Sequence, residues 1–316
     1  MKVLATYNMF REGYSELMEK FDVTFPPEGQ ESFSYEEVLE IIHEYDVLHS
    51  MYNFPVTPEL MDKAVNLKLV SNYAAGFENI NVEYATKKGI VVTNTPDPVT
   101  EPTADMAMGL MLSVMRRIAD CDKRLRTGNL EWGLLDNLGY SLWGKTLGIY
   151  GMGRIGQALA RRAKAAGMKV IYNNRRPVDK HIEQLYDAKY VSFEELLSSS
   201  DVISLNAPNT AETFHIINKN TIDKMKPTAT IINTARGPLV DEKELADALK
   251  AKRIYGAGLD VFEGGHNVSK DLLNLDNVVL TPHTGTQTYD VRNEMAHFAS
   301  KNIINFFEGG RVCRVN

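Results

Sequence analysis

Residues 145–166 read KTLGIYGMGRIGQALARRAKAA. Leu147–Tyr150 form an apolar run suited to a strand buried on both faces. Three glycines follow at G-x-G-x-x-G spacing, Gly151, Gly153 and Gly156. Ile155, Ala158, Leu159, Ala163 and Ala166 then recur at helical spacing, and Gly167 stands where such a helix would end. A strand, a glycine turn and a helix in this order is the arrangement that holds a dinucleotide pyrophosphate. Gly151 permits the tight turn, Gly153 lets phosphate approach the backbone, and Gly156 lets helix and strand pack closely. Free N–H groups and the helix dipole favour the anion. An ordinary βα turn without ligand can carry the same glycines; the flanking strand and helix favour the dinucleotide.

Past that helix, residues 168–176 read MKVIYNNRR. An NAD site normally ends this second strand with Asp or Glu, which accepts hydrogen bonds from the ribose 2′-hydroxyl. Asn174 stands there instead, followed by Arg175 and Arg176. A carboxylate repels a 2′-phosphate, whereas Asn tolerates it and Arg binds it through forked donors. NADP(H) is therefore favoured. NAD(H) stays open, because Asn also bonds a hydroxyl.

The 316 residues are enough for two domains with sizeable cores. The composition, 44% hydrophobic and 24% charged with a net charge of −6, is that of a soluble globular protein. The acidic balance argues against general nucleic-acid binding, since the phosphate backbone would be repelled. Arg116–Arg117, Lys123–Arg126 and Arg161–Arg162 are expected to be solvated helix faces. Cys121 and Cys313 alone suggest neither a disulfide framework nor a zinc site. The start is too short and polar for a signal peptide, and the longest apolar stretch, Met106–Met115, is too short to span a bilayer. A cytoplasmic protein without membrane partners is expected.

Two successive series of alternating strands and helices predict an α/β protein. In the first, strands are expected at Val3–Thr6, Val23–Phe25, Val47–Ser50, Leu67–Asn72 and Ile90–Asn94. Ser34 with Glu37 reads as a capping box, and Thr57-Pro58-Glu59 as a helix start. One long helix is expected from Thr103 to about Arg126. In the second series, strands are expected near Val170–Asn173, Val202–Asn206, Thr230–Asn233, Gly258–Phe262 and Val278–Leu280. Ser192 with Glu195 and Asp241 with Glu244 mark two helix starts. A last helix over Tyr289–Glu308 would return to the first domain and make it discontinuous.

Two strands of the second series end in polar residues, at Asn233-Thr234-Ala235-Arg236-Gly237 and Thr281-Pro282-His283-Thr284-Gly285. In a doubly wound sheet the carboxyl ends of strands line the ligand crevice. Hydride transfer between an alcohol carbon and a nicotinamide needs a group that takes or returns the hydroxyl proton. Imidazole titrates in the useful range. It also needs a fixed cation to hold a carboxylate and polarise the neighbouring oxygen, which a guanidinium does with two donors. Arg236 and His283 are the candidates.

With these residues in place the chain resembles the D-isomer-specific 2-hydroxyacid dehydrogenases over nearly its whole length. The resemblance is carried by residues 74–80 (AAGFENI), 89–96 (GIVVTNTP), 100–105 (TEPTAD), 144–149 (GKTLGI), 233–237 (NTARG), 256–263 (GAGLDVFE) and 280–285 (LTPHTG), together with the glycine turn. It implies two Rossmann/flavodoxin-like domains. The cofactor domain, residues 100–284, is a doubly wound parallel sheet inserted in a substrate domain of residues 1–99 and 285–316. It implies a homodimer joined through the cofactor domains. By the family pattern Arg236 binds the substrate carboxylate and keto oxygen, and His283 is the acid/base. Backbone N–H groups around Ala75 and Gly76 hold the carboxylate. Thr103, Arg154, Ile155, Pro208, Thr234 and Asp260 match cofactor-contacting positions, while Met51 and Tyr52 fall on the substrate side.

One departure stands out. The family continues Asp-Val-Phe-Glu-x-Glu-Pro, and its second Glu hydrogen-bonds the catalytic His. Here the run is Asp260-Val261-Phe262-Glu263-Gly264-Gly265-His266, so Gly265 takes the place of that Glu. Loss of a neighbouring carboxylate lowers an imidazole's pKa and frees its ring orientation. Either His283 works unassisted, or Glu263 swings in on the two glycines, or activity is weak. The expected function is NADPH-dependent reduction of a small 2-keto acid, such as glyoxylate or hydroxypyruvate, to the D-2-hydroxy acid. The alternative is a dinucleotide-sensing, corepressor-like binding protein on the same scaffold.

Overall fold

The short apolar runs of the sequence become the strands of two parallel sheets in the computed structural model, which describes residues 1–129 and 131–316. The chain divides into two compact units, residues 1–99 with 286–316 and residues 100–285. Among the described residues no helix is long and apolar enough to cross a membrane.

The first unit is built on β1 (Lys2–Ala5), β2 (Asp22–Thr24), β3 (Val47–Met51), β4 (Leu69–Tyr73) and β5 (Val91–Thr93), in the order β2-β1-β3-β4-β5. This is the flavodoxin-like order, whose switch point lies between β1 and β3. Its helices start where local chemistry dictates. Ser34 and Glu37 close a reciprocal capping box on Tyr35–Ile41, and Thr57 caps Pro58–Lys63 with proline in the first turn. The helix Tyr289–Glu308 ends at Gly309, whose φ of 77° suits glycine. Its face of Val291, Met295, Ala299 and Ile303 joins Val3, Val47 and Leu69 of the sheet in one core cluster.

The second unit carries β6 (Thr146–Tyr150), β7 (Lys169–Asn173), β8 (Ala188–Tyr190), β9 (Val202–Leu205), β10 (Thr230–Asn233), β11 (Gly256–Leu259) and β12 (Val278–Leu280). Their order, β12-β11-β10-β9-β6-β7-β8, is the doubly wound Rossmann pattern extended by one strand, with its switch point between β6 and β9. Ser192 and Asp241 cap the helices Phe193–Ser199 and Glu242–Lys250 as their spacing predicts.

Three local expectations are corrected, and one strand was not expected. The long helix breaks into Thr100–Met115 and Ile118–Arg126, with Arg117 left-handed at φ 54°. The Met115 carbonyl accepts from the Tyr140 N–H at 2.7 Å, which draws the chain out of the helical path. The strand expected at Gly258–Phe262 lies at Gly256–Leu259. Two glycines lower strand propensity, but here they are required by packing. A Cβ on Gly256 would stand 2.6 Å from Val114, and one on Gly258 would stand 2.9 Å from Leu110, both on the covering helix. The three-residue strand β8 gives no sequence signal, being a short edge strand of Ala-Lys-Tyr. Finally, Arg161 and Arg162 are not simply solvated. Arg162 pairs with Glu101 at 2.8 Å and Asp105 at 2.7 Å, tying the glycine-turn helix to Thr100–Met115.

Candidate active site

Each glycine of the turn meets a different environment. Gly151 has φ 103°, and a Cβ there would lie 2.7 Å from the Ala207 N atom on the β9 exit. A Cβ on Gly156 would lie 2.3 Å from the Gly151 carbonyl. Gly153, the N-cap of the helix Arg154–Ala165, would meet nothing within 4 Å. Two glycines therefore serve the fold, and the third keeps a space open above the N–H groups of Arg154, Ile155 and Gly156. Two buried oxygens at the carboxyl ends of neighbouring strands have no partner among the described residues, Asn206 Oδ1 after β9 and Thr234 Oγ1 after β10. Buried polar atoms left unpaired are costly, so a polar ligand satisfying them fits the site. An open backbone cradle with orphaned acceptors beside it suits a dinucleotide.

Asn174 braces this turn, since its Oδ1 accepts from the Met152 N–H at 2.6 Å. That bond fixes which end of the amide faces outward: only the Nδ2 donors remain for a ligand. Arg175 and Arg176 are exposed beside it. The positive charge of Arg175 reaches Glu212, which its bond to Thr210 and neighbouring groups hold below the ordinary carboxylate range. Pro208 is exposed in the same loop and Thr103 is buried.

Arg236 and His283 leave the same sheet edge from β10 and β12, on either side of β11. Asn233 holds the first of these turns: its Nδ2 donates to the Arg236 carbonyl at 2.9 Å, and its Oδ1 accepts from the Ala235 N–H at 3.1 Å. The Arg236 guanidinium donates to the Ala235 carbonyl at 2.7 Å. Gly237 admits no side chain, because a Cβ would sit 1.9 Å from the Phe262 carbonyl carbon. His283 is exposed and left-handed, with φ 54°. Such a backbone costs a non-glycine residue on the order of 1 kcal/mol and persists only where its surroundings impose it. They do so through Asp260, which is buried to 1% exposure. Its carboxylate accepts from Thr281 Oγ1 (2.6 Å), the Thr284 N–H (2.8 Å) and the Gly285 N–H (2.8 Å), and its carbonyl from the His283 N–H (2.8 Å). Asp260 thus spends its oxygens on the loop that presents His283.

Glu263 is drawn elsewhere. It pairs with His215 Nε2 at 2.6 Å, and its N–H donates to Glu242, whose carboxyl burial pushes above the ordinary range. Gly265 lies in a tight turn at φ 61°, its N–H bonded to the Phe262 carbonyl. The local turn, rather than a carboxylate, occupies the Glu position of the family pattern.

In the first unit, Ala75 and Gly76 follow β4. Their carbonyls are taken by Asn94 Nδ2 and Asn72 Nδ2, each at 2.7 Å. Their N–H groups have no acceptor among the described residues. A turn held by its carbonyls with its amides unsatisfied is a ready anion site. Sequence reasoning missed both asparagines, and also Asn206. The signal available was an Asn at or just beyond a strand's carboxyl end. Tyr52 lies after β3 and lines a cavity of that unit. Among the described residues no cluster of metal-ligating side chains occurs.

The family model described as D-isomer specific 2-hydroxyacid dehydrogenase, NAD binding domain, matches residues 108–285. A glyoxylate reductase of Thermococcus onnurineus is 44% identical over 98% of this chain and 93% of its own length. The crystal structure of a glyoxylate reductase from Paecilomyes thermophila superposes with a TM-score of 0.90 at 36% identity, covering 100% of this chain and 98% of that one. An NADPH-dependent glyoxylate/hydroxypyruvate reductase from Sinorhizobium meliloti, solved with NADP and malonate, gives 0.86 at 31% identity over 99% and 96%.

Proposed function

The chain belongs to the D-isomer-specific 2-hydroxyacid dehydrogenases, and we propose that its reaction is the NADPH-dependent reduction of a small 2-keto acid, such as glyoxylate or hydroxypyruvate, to the D-2-hydroxy acid. That it is an NAD(P)-dependent oxidoreductase follows from its family and relatives. The observation that carries the finer reading is the shared sheet edge of Arg236, His283 and the open glycine turn. In this reading residues 100–285 bind the dinucleotide through Gly151, Gly153, Gly156, Arg154, Ile155, Asn206 and Thr234. The first unit holds the substrate.

When bound, the reduced nicotinamide supplies hydride to the keto carbon. The chain does the rest. In the second unit Arg236 binds the carboxylate and polarises the keto oxygen as negative charge develops on it; in the first, the Ala75 and Gly76 N–H groups are donors suited to a carboxylate. His283 gives its proton to that oxygen. Asp260 positions His283 by holding its loop, which offsets part of the lost orientation where Gly265 replaces a carboxylate. NADPH is preferred because Asn174 presents donors only, which suit a 2′-phosphate better than a hydroxyl needing an acceptor. The working form is a homodimer. Trp132, Leu134, Leu135 and Trp143 are 76–95% exposed, apolar surface suited to burial against a second copy. Sedimentation equilibrium is expected to give twice the chain mass.

The test is a panel of 2-keto acids with NADPH and NADH, read as absorbance loss. Turnover with NADPH at higher kcat/KM than with NADH is expected. No turnover with any acid defeats the proposal; an NADH preference defeats its cofactor half.

A further inference from the structure

The first unit has a cavity of about 600 Å³ that the reaction as described does not use. It lies at the unit's own switch point, lined by Tyr7 beyond β1, by Met51 and Tyr52 at the end of β3, and by Tyr73 at the end of β4. Parallel sheets bind ligands at this place, and the volume falls in the range that encloses a sizeable organic molecule. A two-carbon keto acid would leave most of it empty. The Ala75–Gly76 amides follow the same strand end as Tyr73, so a carboxylate held there has its side chain at the cavity's edge.

The cavity's chemistry is specific. Arg292, on the helix Tyr289–Glu308, is half-buried, lies 5.9 Å from the Tyr73 ring centroid and forms no ion pair among the described residues. Glu31, the acidic group of the lining, accepts the Tyr7 hydroxyl. The charges of Tyr52, Arg292 and Glu31 all act on that hydroxyl, which burial first and Glu31 second push up to about 12, so it stays protonated. A half-buried guanidinium that forms no ion pair gains from a ligand carboxylate placed against it. The Tyr7 and Tyr73 hydroxyls donate to Glu31 and to the Arg292 carbonyl and line the cavity without adding charge.

We propose that this cavity receives the side chain of the keto acid and that Arg292 binds a second carboxylate there, making 2-ketodicarboxylic acids the better substrates. This rests on the 2-keto acid reductase reading above and names its substrate class. Arg292 here selects the substrate and takes no part in the chemistry.

The experiment compares kcat/KM for 2-ketoglutarate and for 2-ketovalerate, equal in chain length and differing in the terminal carboxylate, in wild type and Arg292→Gln. A charge-assisted bond to the second carboxylate predicts a wild-type preference of about 10- to 100-fold, falling to near parity in the variant. A ratio cancels any loss of folded enzyme. A wild-type ratio at or below one, or a preference unchanged in Arg292→Gln, overturns the proposal. Calorimetric titration with glutarate separates the two readings. Glutarate binding that is lost in Arg292→Gln supports the site even if no acid is reduced, in which case the reductase reading alone fails. Turnover of monocarboxylic acids with no glutarate binding leaves the reductase standing and removes the dicarboxylate site.

Discussion

Both sheets are doubly wound, and each has one switch point, yet the chain treats the two places oppositely. At the β6/β9 switch the exit reads Gly151-Met152-Gly153, and the surface offered to a ligand is backbone. At the β1/β3 switch the exit reads Thr6-Tyr7-Asn8-Met9-Phe10, and the surface is side chain. Backbone amides suit any phosphate and carry no selectivity of their own. Side chains select, but need a framework to hold them. Under the second switch point that framework is a buried polar network: His49 on β3 meets the Tyr14 hydroxyl at 2.7 Å and the Ser71 carbonyl at 2.9 Å.

The largest expected effect tests that framework. Burial lowers His49 from 6.5 to about 4, so the folded protein keeps it neutral. Stability is then whole above pH 6.5 and falls as the unfolded chain alone takes up the proton, ceasing to fall once pH passes the folded value near 4. The loss is about 3 kcal/mol over that window, read as urea unfolding free energy against pH. His49→Gln should remove about one proton from the slope; an unchanged slope would show that the network is not what titrates.

At the backbone-lined switch, Gly153→Val should raise the NADPH dissociation constant about 100-fold while leaving the melting temperature nearly unmoved, because its Cβ enters open space. A large drop in melting temperature instead would mean the space is structural. Asn174→Asp keeps an acceptor for the Met152 N–H but presents charge outward. The ratio of kcat/KM for NADPH over NADH should fall roughly tenfold or more. A ratio that holds would move cofactor choice to Arg175 and Arg176. The smallest effect is expected from Gly265→Glu. It restores a carboxylate in a position at φ 61° with room for it, and should carry the pH profile of reduction about one unit toward alkaline at modest cost in stability. A profile that stays put would mean the restored group does not reach His283.

Much of the fold was legible because its signals are local. The caps at Ser34, Thr57, Ser192 and Asp241 are short-range hydrogen bonds written in adjacent residues. The glycine turn and the apolar runs beside it announce α/β architecture for the same reason. What escaped reading was set at a distance. The helix breaks at Arg117 because Tyr140 takes a carbonyl 25 residues earlier in the chain, from Met115. Strand β11 starts at Gly256 because a helix more than a hundred residues away lies against it. Glu263, one of three ways open to His283 on paper, is claimed by His215.

By itself the sequence determined two series of alternating strands and helices, a phosphate-binding turn, and the residue types able to hold an oxoacid and move its proton. Each of these depends on periodicity or spacing within a few residues. Only the tertiary structure decided that Asp260 is spent on the His283 loop, that Asn174 turns its donors outward, and that Tyr7, Tyr52 and Arg292 share one cavity. Those are matters of which buried group meets which partner. A chain settles that by packing segments from some twenty to almost three hundred residues apart, and no local pattern records it.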